Sequence, residues 1–67
     1  MKRVYDIWKH TKGLPPYVDI CLADEEDCWT FEDVNDAITC CNCMSEHNTD
    51  AIYYWLSRWE SDNYICN

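Results

Sequence analysis

From Gly13 to Ser57 the chain contains neither lysine nor arginine. Ten carboxylates fall in that stretch: Asp19, the run Asp24-Glu25-Glu26-Asp27, Glu32, Asp33, Asp36, Glu46 and Asp50. An unpaired carboxylate is costly to remove from water. Any fold must therefore keep most of these side chains on its surface and build its core from what lies between them. What lies between is aromatic, with four Trp, five Tyr and one Phe in 67 residues and a hydrophobic content of 48%. A disordered acidic tail does not have that composition, and one Gly with two Pro leaves little linker material. Residues 1–67 are expected to form one compact acidic domain whose aromatic side chains supply the core.

The remaining charge is segregated. Residues 1–12 hold Lys2, Arg3, Lys9 and Lys12 against Asp6, whereas residues 13–67 hold only Arg58 against twelve acids, for a net charge of −8 overall. Such a surface repels polyanions, so direct binding to DNA or RNA is excluded as a principal function. No run of residues is long and apolar enough to span a membrane. The opening Met1-Lys2-Arg3-Val4-Tyr5-Asp6 lacks the apolar core of a secretory signal, which makes a cytoplasmic protein the expectation. A chain this short leaves little room for a substrate cleft, so no enzymatic activity is expected.

Periodicity suggests an α+β fold in which a β-hairpin precedes two helices, in the order β-β-α-α, with a short C-terminal strand as an option. Residues 3–11 fit a helix through Val4, Ile7 and Trp8, but their β-branched and aromatic content favours the first arm of the hairpin. Tyr17 to Ala23 alternates, which predicts a half-buried strand with Val18, Ile20 and Leu22 inward. Thr30 is the expected N-cap of the first helix, with Asp33 three residues on as its capping-box partner and Phe31, Val34, Ile38 and Cys41 facing the core. After a connection at Met44–Asn48, a second helix is expected from Asn48 or Thr49. Ala51, Ile52, Trp55, Leu56 and Trp59 form its apolar stripe, and Tyr54 is placed to stack on Arg58 four residues later. Tyr64-Ile65-Cys66 supplies the optional strand.

The six cysteines, at 21, 28, 40, 41, 43 and 66, are the one chemical motif. In a reducing compartment they are thiols, with Cys21 and Cys41 acting as small core residues. A zinc site can be drawn from Cys40, Cys43, His47 and Cys66, but Cys21 and Cys28 are too widely spaced to supply a second knuckle, and no metal or cofactor is favoured. Cys40 and Cys43 fall near the C-terminal end of an acidic helix, where the dipole and neighbouring carboxylates disfavour a thiolate.

The function these features favour is that of a small interaction protein, an inhibitor or regulator docking an anionic face on a basic protein partner. That face comprises Asp24, Glu25, Glu26, Asp27, Glu32, Asp33 and Asp36, with Tyr53 and Tyr54 as aromatic anchors. Acids three and four apart on a helix imitate the charge density of a nucleic-acid backbone, so the partner is expected to be a nucleic-acid-binding enzyme or regulator. In composition the chain resembles the small acidic proteins with which phages and mobile elements inhibit host nucleic-acid enzymes. The alternatives are a generic cytoplasmic adaptor and a zinc-stapled cysteine module, and so small and aromatic-rich a domain is also a candidate for homodimerisation.

Overall fold

The computed structural model describes residues 1–24 and 27–60. A four-stranded antiparallel sheet carries one helix on one of its faces. Strand β1 (Lys2–Thr11) is central. Along one edge it pairs with β4 (Ala51–Glu60) over ten positions, from Lys2 opposite Glu60 to Thr11 opposite Ala51. Its other edge is shared by two short strands, β2 (Ile20–Cys21) opposite Lys9 and Trp8, and β3 (Thr30–Phe31) opposite Asp6 and Tyr5. Helix α1 (Val34–His47) lies in the chain between β3 and β4.

The expected β-β-α-α order is therefore incorrect at its second helix, because residues 51–60 form a strand. Ala51, Ile52, Trp55, Leu56 and Trp59 do recur at helical spacing, but the burial follows period two. Ala51 and Tyr53 are buried, whereas Ile52 and Leu56 on the opposite face are about half exposed at 47% and 49%. β-Branched and aromatic side chains favour the pleated surface, and a ten-residue ladder with β1 supplies hydrogen bonds that a lone surface helix would have to make within itself. Asn48 still uses the chemistry that suggested a cap, but it makes a turn. Its side-chain oxygen accepts from the Asp50 N–H at 3.1 Å and its carbonyl accepts from the Ala51 N–H at 3.3 Å. The optional strand at Tyr64-Ile65-Cys66 lies outside the described residues.

The first segment is a strand, as its β-branched content favours. Its turn closes through Leu14 N–H to the Thr11 carbonyl at 3.2 Å, with Gly13 at φ +89°, a conformation open to glycine and strained for other residues. Tyr17–Ala23 is strand only at Ile20–Cys21, and of its expected inward residues Val18, Ile20 and Leu22 only Leu22 packs on the core. Cys21 is buried, whereas Val18 and Ile20 are exposed. Pro16 opens a 3-10 turn through Val18, closed by Val18 and Asp19 N–H groups on the carbonyls of Pro15 and Pro16, and this consumes the backbone that a longer strand would need.

Helix α1 begins three residues later than Thr30 as N-cap would require. Asp33 is the cap, its carboxylate accepting the Asn35 N–H at 2.8 Å, while Thr30 lies in β3. The buried helix positions are Ala37 and Cys41, and Ile38 is 40% exposed. Small side chains at 37 and 41 let the helix approach the sheet closely. There they join Ile7, Ala51 and Tyr53, with Tyr5, Leu22, Trp29, Phe31, Cys40, Met44 and Trp55 packed around them.

Alternation along the ladder sorts the sheet into two faces. Tyr5, Ile7 and Lys9 share the helix side with Tyr53, Trp55 and Ser57. Tyr5 meets Trp55 edge-on at 5.2 Å, and the Arg3 guanidinium lies 4.5 Å over the Trp59 ring. The expected Tyr54–Arg58 pair does not form. Tyr54 stacks on Trp8 across the ladder, and Arg58 reaches Asp6.

Candidate interaction surface

Three carboxylates are engaged by side chains distant in the chain. Asp6, 8% exposed, accepts the Thr30 hydroxyl at 2.8 Å and Arg58 Nε at 2.6 Å. Glu32 pairs with Lys2 Nζ at 2.8 Å on the surface. Asp19 accepts the Tyr54 hydroxyl and contacts His10 Nδ1, each at 2.7 Å.

The two hydrogen bonds to Asp19 stabilise its charged form, so Tyr54 first and His10 second hold its carboxyl below the ordinary value of 3.8. Burial, followed by the same carboxylate, pushes the Tyr54 phenol up to about 12. A depressed carboxylate stabilises the fold above its unfolded value and loses that contribution as pH falls through its lower folded value. The melting temperature of the wild type is therefore expected to drop as pH is lowered from 5 towards 2. The drop should be smaller in Asp19→Asn, and equal acid limbs in the two proteins would remove Asp19 from the acid transition.

Of the acids assigned to the anionic face, Asp24 is exposed at the end of a 3-10 turn, and Asp27 opens the next such turn. Glu32, Asp33 and Asp36 are exposed around the start of α1. Glu32, Asp33 and Asp36 thus stand at the N-terminal end of the helix, where the dipole and the Asp33 cap favour negative charge, while Asp24 and Asp27 precede it in the chain on the far side of β3. Glu25 and Glu26 lie outside the described residues. Farther along, Glu46 and Asp50 also face solvent.

The two aromatic residues singled out as anchors are engaged within the fold. Tyr53 is buried in the core, its hydroxyl accepting from Asn48 Nδ2 at 3.2 Å, and Tyr54 is half-buried between Trp8 and Asp19. Among the described residues the exposed aromatics are Tyr17 at 87% and Trp59 at 59%. Reading residues 51–60 as a strand would have put Tyr53 on the core face with Ala51 and Leu56 on the other, but that parity does not locate Tyr17 or Trp59.

The thiols follow their surroundings. Cys21 and Cys41 are buried, and burial followed by the neighbouring Cys40 pushes the Cys41 thiol up to about 11. Cys40 is also raised, by burial first and then by Cys43 and Cys28. His47 Nδ1 lies 2.8 Å from the Cys43 carbonyl, to which it donates, and 3.7 Å from Cys43 Sγ. Its proton is thus committed to the backbone. Among the described residues, no three His, Cys, Asp or Glu side chains gather where they could hold a metal ion. Cys66, the fourth ligand of the zinc alternative, lies outside them.

One concavity was not anticipated. A groove of about 240 Å³ runs between α1 and β4, lined by Ile38, Cys41 and Asn42 on one wall and by Tyr53, Tyr54 and Trp55 on the other. Among the described residues no helix is long and apolar enough to cross a membrane. No protein-family model matches the chain, and neither curated proteins nor solved structures give a match.

Proposed function

We propose that this protein is a non-enzymatic cytoplasmic regulator that docks its anionic surface on a basic face of another protein, of the kind that otherwise holds DNA or RNA. The observation that carries this reading is where the cations go. Lys2 is drawn to Glu32, Arg3 to Trp59 and Arg58 to Asp6, Lys9 is half-buried and Lys12 is exposed in the turn opposite Asp50, while Asp24, Asp36, Glu46 and Asp50 stay in solvent. Among the described residues none of those four acids sits in an ion pair. A chain of net charge −8 thereby presents carboxylates over a surface poor in competing cations. Approach to a basic partner is accelerated, and like-charged partners are rejected.

Capture from a cell lysate on immobilised protein tests this. Basic nucleic-acid-handling proteins should be retained at low salt, released at about 0.3–0.5 M salt where the Debye length falls below that at physiological ionic strength, and displaced by added duplex DNA. The combined change Asp24→Lys, Glu25→Lys, Glu26→Lys should abolish retention. Partners that resist salt and DNA, or that bind the reversed variant equally well, would overturn the reading.

A further inference from the structure

We propose that the free edge of β4, together with the groove beside α1, binds an extended segment of a partner protein by strand addition. The segment it suits carries apolar side chains at alternate positions, with lysine or arginine at the end that lies beside Ser45 and Glu46.

The argument begins with hydrogen-bond parity. In an antiparallel ladder, alternate residues direct their N–H and C=O groups towards one neighbour and then towards the other side. The Lys12 N–H reaches the Asp50 carbonyl at 2.9 Å, which places the even-numbered residues of β4 on the β1 side. The odd-numbered ones point away. Accordingly the Ala51 N–H turns back to Asn48, and the Tyr53 N–H meets Ser45 Oγ on α1 at 3.0 Å. By the same parity Trp55, Ser57 and Trp59 direct theirs outward, where among the described residues no strand pairs with β4. Ser45 thus closes the edge at Tyr53, and the remainder of the strand is an open template.

The surroundings select the occupant. A strand laid on this edge places alternate side chains over the wall formed by Ile38, 40% exposed, and Trp55, and beside Trp59, 59% exposed. Those positions favour apolar residues. Glu46 follows Ser45 at the closed end and α1 contains no lysine or arginine, whereas at the other end Glu60 is paired with Arg58 at 3.6 Å and Arg3 lies over Trp59. The closed end of the site therefore suits a cation. A second copy of this chain would bring another −8 to the same place, so a basic segment is the better complement.

The probe is a synthetic ten-residue peptide of alternating valine and threonine with two lysines at one end. Addition of this peptide to the full chain should slow amide exchange at Trp55, Ser57 and Trp59 by about tenfold or more, leaving Ile52 and Leu56 unchanged. Ser57→Pro removes one outward donor and leaves the β1 backbone ladder intact, although it also deletes the hydroxyl that accepts from Arg3 Nη1 at 3.1 Å, and a proline is tolerated where its missing N–H would face solvent. It should lower peptide affinity about tenfold, the scale of one to two kcal/mol for a lost hydrogen bond. Should Ser57→Pro fail to fold, the same peptide N-methylated at alternate amides tests the wild type and should bind at least tenfold more weakly.

Binding without protection at the three odd-numbered amides would overturn the proposal, as would equal affinity for the N-methylated or glutamate-ended peptide. So would protection already present in the dilute free protein, or protection that grows with protein concentration alongside a dimer in sedimentation. The inference rests on the proposed preference for basic partners only for the basic end of the segment. Lysate capture that survives while the peptide fails would sink this site and leave that reading standing.

Discussion

Replacement of Ile7 by alanine is expected to remove most of the folding stability of this protein. Ile7 is fully buried at 0% exposure, on the central strand, against Ala37, Cys41, Ala51 and Tyr53. Truncating such a side chain costs about 2–5 kcal/mol, combining lost transfer energy with the cavity left behind. A domain of this length has only about 3–10 kcal/mol in total. Each kcal/mol is worth roughly 4–8 °C at this size, so a fall in melting temperature of about 10–30 °C is expected by circular dichroism, with a matching loss in urea midpoint. Leu14→Ala is the companion measurement. Leu14 is 51% exposed in the turn after β1, and its removal should change stability by no more than about 0.5 kcal/mol. Similar effects from the two substitutions would mean that the core is not centred on β1.

Removal of the Asp6 carboxylate should cost about 2–3 kcal/mol, because two hydrogen bonds, one of them charged, end on it. It ties three strands together, accepting from Thr30 on β3 and Arg58 on β4 while standing on β1. The penalty stays below that of a fully buried ion pair because the Arg58 side chain is 46% exposed and can regain water. A double-mutant cycle of Asp6→Ala with Arg58→Met isolates the pair and should yield a coupling of about 1–2 kcal/mol. A coupling near zero would assign the cost of Asp6→Ala to Thr30 and the loss of packing.

These two residues also mark how far local sequence could be read. Val4, Ile7 and Trp8 identify β1 as a strand because their residue types favour a pleated surface even where the spacing also fits a helix. The apolar repeat around Cys41 identifies α1, although its core face is carried by Ala37, whose small side chain contributes little to a hydrophobic pattern. In β4 the pattern misleads. A segment holding apolar or aromatic residues at nearly every position fits both periods, and only the partner strand decides between them. The pairing of Asp6 with Arg58 spans 52 residues. No reading of neighbours along the chain finds it, and so the carboxylates seemed further from their cations than they are. The anionic run from Asp24 to Asp36 was legible because charge and chain continuity are local. The α1–β4 groove was not, since it exists only once β4 lies beside the helix.

The placement of β1 governs the order in which this molecule can be made. Its longest ladder joins residues 2–11 to residues 51–60, so the middle strand leaves the ribosome well before its principal neighbour. Until residue 60 is available, Ile7 has no completed pocket and Asp6 has no guanidinium. Contacts so widely separated along the chain slow two-state folding, and during synthesis they leave an apolar strand waiting with one side unmatched. Assembly is in effect a clasp closed from far along the chain.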